Sequence, residues 1–228
     1  MIEHVILDAG GVICLPRMGS WLTTVRFEEI VGPARLRAAT RDEIGGAMDA
    51  AAALYLDESL PISDETIEFA VRRNYFIDLA RRLHWTLTDR EADALARDMT
   101  ENDARYDFYD DARTGIEHLG RGRGVYLLSN AMPSLKRVFA NAGLLELFDD
   151  VLISTDVGSA KPDPAIYRAL LDRDELDPAV CAFVDDRLDN LETARTLGIR
   201  TIHMARGAVS HWTESANDLF EVARLLQE

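Results

Sequence analysis

The sequence predicts an α/β protein: a mostly parallel sheet flanked by helices, interrupted by an all-helical insertion. Three observations carry this. Near the start, Val5, Ile6 and Leu7 form a short apolar run that suits a strand buried on both faces, and it stops at Asp8 before Gly10 and Gly11. A long stretch then shows only helical periodicity. From Asp110 onward, strand-like runs alternate with helical patterns, the arrangement that right-handed crossovers turn into a parallel sheet.

The insertion spans residues 16–102. Ile44, Met48, Ala51 and Tyr55 recur at one-turn spacing, and Ile67, Val71, Tyr75, Leu79 and Leu83 form a ladder of fours. Ser63 and Asp64 offer an N-cap, and Thr88 to Glu91 is a capping box ahead of Ala92, Leu95, Ala96 and Met99. Arg72, Arg73, Arg81 and Arg82 fall mostly off the apolar stripe and read as solvated.

The second part opens with a helix over Ile116 and Leu119 and a glycine-rich turn at Gly120, Gly122 and Gly124. Strands are expected at Val125–Leu128, Val151–Ser154, Val180–Val184 and Arg200–His203. Between them, Asp163 caps a helix whose first position is Pro164, a helix over Leu191 and Ala194 ends near Gly198, and Leu219 to Leu226 closes the chain. Residues 1–15 and 103–228 thus make one core around the insertion.

Composition narrows the partners. The chain has 228 residues, 47% hydrophobic and 29% charged, with a net charge of -15. So acidic a balance argues against nucleic acid or an anionic membrane, both of which need clustered positive charge. No apolar run reaches the roughly 18 residues of a membrane span. The two cysteines, Cys14 and Cys181, lie far apart, and the chain opens on a strand without a secretory pattern; a reducing, cytoplasmic setting is expected.

Four strand ends carry polar groups: Asp8; Ser129 with Asn130; Lys161 in the loop after the third strand; and Asp185 with Asp186. Parallel strands deliver their carboxyl ends to one edge, where ligands bind in open α/β sheets. The residue types suit phosphoryl transfer. A carboxylate can attack phosphorus, a hydroxyl and an amide can hold phosphoryl oxygens, and an ammonium can offset charge. Asp8, Asp185 and Asp186 suit a hard cation, for which Mg2+ is the natural choice. Glycine at positions 10 and 11 lets a phosphate approach the backbone.

Leu7-Asp8-Ala9-Gly10-Gly11-Val12-Ile13, Leu127-Leu128-Ser129-Asn130, Lys161-Pro162-Asp163-Pro164 and Phe183-Val184-Asp185-Asp186-Arg187-Leu188-Asp189-Asn190 together resemble the haloacid dehalogenase-like hydrolases. The resemblance runs through the whole core, and the helical insertion is similar to that family's cap on a Rossmann-like domain. It implies Asp8 as nucleophile, with the Gly10 carbonyl and the Asp186 carboxylate as magnesium ligands. Asp185 is a ligand or its supporting partner. Gly11, Ser129 and Asn130 would lie on the phosphoryl group, Lys161 would bridge nucleophile and phosphate, and Asn190 would support the metal loop.

One position departs from the pattern. Phosphatases of the family usually carry a second aspartate two residues after the nucleophile, as proton carrier, and here that position is Gly10. Positioned acid–base catalysis is worth about a hundred- to ten-thousandfold. His84, at the end of a cap helix, is a candidate substitute, although a histidine there more often serves the helix end. Arg17, Trp21 and Arg26 could read the substrate, but packing and surface roles are the first expectation. The resemblance implies a phosphatase of a small phosphorylated metabolite. A 2-haloacid dehalogenase, which also lacks the second aspartate, and a weakened phosphate-ligand or partner-binding fold are the alternatives. The particular substrate and the oligomeric state are left open.

Overall fold

In the computed structural model, which describes residues 1–227, the chain runs through eight strands and eleven α-helices. The first strand, β1 (His4–Leu7), leads to β2 (Cys14–Pro16) and then to helices α1 (Phe27–Val31), α2 (Pro33–Arg37), α3 (Arg41–Tyr55), α4 (Glu65–Arg82) and α5 (Asp89–Glu101). The chain continues through β3 (Tyr106–Phe108), α6 (Ala112–Leu119), β4 (Gly124–Ser129), α7 (Ser134–Asn141), β5 (Asp150–Ile153), α8 (Ser154–Val157) and α9 (Pro164–Arg173). It ends with β6 (Cys181–Asp185), α10 (Leu188–Thr196), β7 (Arg200–Met204), β8 (Ser215–Ala216) and α11 (Leu219–Leu225).

Six strands form one parallel sheet in the order β5-β4-β1-β6-β7-β8, so β1 is central. Leu7 stands level with Leu127 on one side and Val184 on the other, which carries the residues after all three to one edge. The apolar runs are continuous because both faces are covered. On one face Ile6, Leu128, Leu152 and Phe183 pack with Ile166, Tyr167 and Leu170 of α9 and with Leu191 and Ala194 of α10. Asp163 caps α9 through the Ala165 N–H at 2.8 Å, with Pro164 at the first position.

The chain divides into two compact units: Met1–Leu15, Glu58–Pro61 and Phe108–Glu228 in the first, and Pro16–Asp57 and Ile62–Asp107 in the second. The second unit runs past the expected end of the insertion, residue 102. Arg105 is the reason: its guanidinium donates to the carbonyls of Met99 (2.5 Å) and Trp21 (3.0 Å), tying the residues after α5 into that unit. β2, β3 and β8, of two or three residues each, are too short to leave a period in the sequence.

The helical unit is built largely as its caps predict. Thr88 and Glu91 close a reciprocal capping box on α5, Thr40 and Glu43 another on α3, and Asp64 accepts the Thr66 and Ile67 N–H groups on α4. Its apolar core joins Met48 and Ala51 to Tyr75, Phe76, Leu79, Leu95 and Met99. Arg72 corrects the sequence reading. It is buried rather than solvated, paired with Glu68 one turn earlier at 2.6 Å and donating to the Met99 carbonyl, while Ile67 is exposed. An i,i+4 ion pair has the same spacing on the surface as in the core, so periodicity alone puts the first turns of the stripe, at Ile67 and Val71, one position off, while Tyr75 and Leu79 are buried as expected.

Candidate active site

Asp8 stands at the end of the central strand, and its N–H donates to the Val184 carbonyl at 3.0 Å. Its side chain is nearly buried, and Lys161 Nζ lies 2.8 Å from Oδ1. The same ammonium lies 2.8 Å from Asp185 Oδ2 and donates to the Leu128 carbonyl at 2.9 Å. Burial works against the Lys161 charge, but Asp8 and Asp185 outweigh it and hold its pKa above the ordinary lysine value.

Lys161 is fixed from its backbone as well as its tip. The Asn130 side-chain amide accepts from the Lys161 N–H at 2.7 Å and donates to the Lys161 carbonyl at 2.8 Å, across a turn that contains a cis bond to Pro162. Asn130, implied on the phosphoryl group, therefore spends these bonds on the loop that delivers the lysine. Ser129 ends β4 and is buried, and no hydrogen bond to its hydroxyl is found among the described residues.

The two aspartates after β6 differ. Asp185 is fully buried and accepts from Lys161, from the Arg187 N–H (2.8 Å) and from Asn190 Nδ2, which is 3.0 Å from both oxygens. Asn190 is held in turn by Tyr167, whose hydroxyl donates to its carbonyl at 3.0 Å. Burial pushes Asp185 upward, Lys161 opposes that, and Asp8 adds to it; the net direction is up. Asp186 carries none of these bonds and is more exposed. Burial, then Asp8 and Asp185, raise it to about 6.

These three carboxylates each offer an oxygen within 4.8 Å of the others. Three like charges so close, offset by one ammonium, form a donor set of hard oxygens that fits a divalent cation. The backbone agrees. Gly11 has φ +70°, and a Cβ built on it would stand 2.3 Å from Asp186 Oδ2, so the glycine turn is packed directly against that carboxylate. The Gly11 N–H itself closes the turn on the Cys14 carbonyl at 2.8 Å, and Gly10 bridges to Cys14; the Gly11 amide, implied on phosphate, is thus occupied.

The candidates in the helical unit have local partners. Arg17 pairs with Asp107 at 2.6 Å, and Arg26 with Glu29 at 2.6 Å. The Trp21 ring lies 5.2 Å from that of Tyr106. His84, exposed with φ 53°, is the left-handed residue that ends α4, its N–H donating to the Arg81 carbonyl at 3.2 Å. Sequence reasoning missed His203, Arg206 and Asp111, which hold backbone around the site. His203 sits at the end of a parallel strand, so the rule that found Asp8 could have found it.

A carboxylate thus ends the central strand, bridged by a buried ammonium and flanked by two more carboxylates. A model of the haloacid dehalogenase-like hydrolases matches residues 2–198, and the chain belongs to that family. It is 36% identical over 118 residues to a phosphoserine phosphatase of Thermus thermophilus, covering 50% of this chain and 47% of that protein. It is 34% identical over 144 residues to a phosphatase of Mycobacterium tuberculosis, covering 62% of this chain and 64% of that one. The chain thus matches less than two thirds of the length of either relative. The fold is also that of a 2-haloacid dehalogenase from Pseudomonas syringae pv. tomato, with TM-score 0.66 at 17% identity over 100% of this chain and 99% of that one. It is likewise that of a phosphatase of the family from Thermococcus onnurineus, with TM-score 0.60 at 18% identity over 99% and 98%.

Proposed function

We propose that this hydrolase is a Mg2+-dependent phosphatase of a small phosphorylated metabolite, acting through an aspartyl-phosphate on Asp8. The observation that carries the reading is the crowding of Asp8, Asp185 and Asp186. A dehalogenase needs no cation, and would leave that repulsion offset only by Lys161. The phosphatase relatives support the same choice. Two buried, free cysteines fit the proposed cytoplasmic setting.

Asp8 and Asp186, with the Gly10 carbonyl, would hold the cation, and Asp185 would act chiefly as the anchor of Lys161. When bound, magnesium would neutralise phosphoryl oxygens and ease approach of one anion to another. An Asp8 carboxylate oxygen forms a bond to phosphorus as the bond to the leaving-group oxygen breaks, and the electron pair departs with that oxygen. Lys161, 2.8 Å from Asp8, would hold the attacking carboxylate in place and offset charge gathering on the phosphoryl group. The Ser129 hydroxyl, at the end of β4, would donate to a phosphoryl oxygen. Water then attacks phosphorus, releasing inorganic phosphate and restoring the Asp8 carboxylate.

Gly10 supplies no proton in either step, and this is the one feature that favours a second reading as a 2-haloacid dehalogenase. Phosphate esters with graded leaving groups, assayed with and without magnesium, separate the two. p-Nitrophenyl phosphate should turn over far faster than alkyl phosphates, only with the metal, and with a burst of phospho-Asp8. Halide release from 2-chloropropionate without metal, and no phosphate release from any ester, would overturn the proposal.

A further inference from the structure

His203 and Arg206 lie three residues apart at the end of β7, and each spends its side chain on a backbone carbonyl beside the site. His203 Nε2 is 3.1 Å from the Asp186 carbonyl oxygen, and Nδ1 is 2.7 Å from Ser210 Oγ. A carbonyl only accepts, so in the neutral ring Nε2 carries the proton and Nδ1 accepts from the serine hydroxyl. Ser210 Oγ is free to donate because it accepts the Trp212 N–H at 3.1 Å. Donors and acceptors therefore match along the whole chain from Trp212 to Asp186.

Arg206 does the equivalent on the other side. One terminal nitrogen donates to both Asp111 oxygens, at 2.8 and 2.9 Å, and the other donates to the Val12 carbonyl. The guanidinium stacks on Tyr109, 3.9 Å from the ring centre, and the Tyr109 N–H donates to the Ile13 carbonyl at 3.0 Å. Asp111 is fixed in turn by the Leu219 N–H at 2.7 Å. Their mount is rigid: the His203 N–H donates to the Glu214 carbonyl (2.9 Å) and the Ala205 N–H to the Ala216 carbonyl (2.8 Å), joining β7 to the chain around β8.

The two carbonyls belong to turns that touch each other. Gly11, just before Val12, leaves no room for a Cβ beside the Asp186 carboxylate. Fixing the Asp186 carbonyl from one side and the Val12 carbonyl from the other sets how the Asp186 carboxylate faces the Gly10–Gly11 turn. We infer that His203 and Arg206 are positioning residues for the proposed divalent-cation site: a clamp from the end of β7 that holds the Asp186 turn and the glycine turn in register. The inference rests on the metal-dependent reading above. Outer partners of this kind are worth about 10- to 100-fold in metal affinity. A purely architectural role would lower thermal stability and leave metal affinity alone.

The test is Mn2+ binding to the full chain, measured from the free Mn2+ signal in electron paramagnetic resonance, beside thermal melting without metal. His203→Ala should bind Mn2+ about 10- to 100-fold more weakly. His203→Gln, which can still donate to the Asp186 carbonyl, should recover most of that loss. Arg206→Lys should also weaken binding, since one ammonium cannot serve Asp111 and Val12 together. Ser210→Ala removes the hydroxyl that orients the ring and accepts the Trp212 N–H; it should bind more weakly with at most a small fall in melting, and it decides the matter if the other variants fold poorly. Wild-type affinity in folded His203→Ala or in Ser210→Ala would overturn the inference. A wild-type chain that binds no Mn2+ would overturn the metal site and the clamp together, which distinguishes that failure from failure of the clamp alone.

Discussion

Asn130 holds Lys161 by its backbone, accepting from the N–H at 2.7 Å and donating to the carbonyl at 2.8 Å. Both bonds serve to place the ammonium between Asp8 and Asp185, so the effect of removing Asn130 should pass through Lys161. Asn130→Ala should lower kcat with a smaller change in KM, whereas loss of a phosphoryl ligand would raise KM as well. The decisive measurement is a double-mutant cycle with Lys161→Ala, in which Asn130→Ala should cost little once the lysine is gone.

Lys161 is also, among the described residues, the ammonium paired with Asp8 and Asp185 in this cluster of three carboxylates. Removing one partner of a buried ion pair leaves the other charge uncompensated, at about 3–5 kcal/mol. Lys161→Met should therefore destabilise the metal-free chain by that order in urea unfolding at pH 7. Burial and Asp8 already raise the pKa of Asp185. Protonation on acidification should relieve the variant, so its deficit should shrink as the pH is lowered, and a pH-independent deficit would rule this explanation out.

The sheet was legible in the sequence because parallel strands covered on both faces leave unbroken apolar runs, and those runs end in the residues that form the site. Asp8, Asp185 and Asp186 converge for that reason, and Lys161 reaches them from the loop between α8 and α9. What was hidden has a common cause. Asn130 binds another residue's backbone, Gly11 spends its N–H on Cys14, and His203 and Arg206 hold carbonyls of Asp186 and Val12. A backbone carbonyl or N–H is present at almost every position, so it marks none of them in sequence. Arg72 was hidden differently, since a charged pair one turn apart carries no sign of its burial.

Gly11 offers a direct probe of the packing between the two turns. A Cβ there would stand 2.3 Å from Asp186 Oδ2 on a backbone at φ +70°. Gly11→Ala must therefore displace the Asp186 carboxylate and strain the turn, at about 1–3 kcal/mol. The Mg2+ concentration for half-maximal activity should rise, and thermal melting should fall. Gly19, which also has a positive φ but nothing within 4 Å of a built Cβ, is the control: Gly19→Ala should lower melting alone.

The helical unit carries its own pH signature at Glu91. Arg35, at 2.8 Å, and then the Thr88 N–H hold the Glu91 carboxyl down at about 2. A carboxyl whose pKa is lower folded than unfolded stabilises the fold above its unfolded value and loses that contribution as the pH falls through the folded value. Glu91→Gln should be less stable than wild type at pH 7, by under about 1 kcal/mol for the ion pair. The gap should close between the ordinary glutamate pKa of 4.5 and about 2, as read by helical circular dichroism during urea unfolding.

Gly10 gives the proposed phosphatase reading its sharpest test. If no side chain donates a proton to the departing oxygen, the rate must follow the stability of the alkoxide or phenoxide released, and alkyl esters should be slow. Gly10→Asp places a carboxyl two residues after Asp8. It should raise turnover of alkyl phosphates by up to about a hundred- to ten-thousandfold while changing p-nitrophenyl phosphate far less, flattening the dependence of rate on leaving-group pKa. The variant also adds a negative charge two residues from Asp8, which already crowds with Asp185 and Asp186, so without metal it should be less stable, with Mg2+ restoring it. A wild-type enzyme already flat across leaving groups, and unchanged by Gly10→Asp, would mean that another group carries the proton.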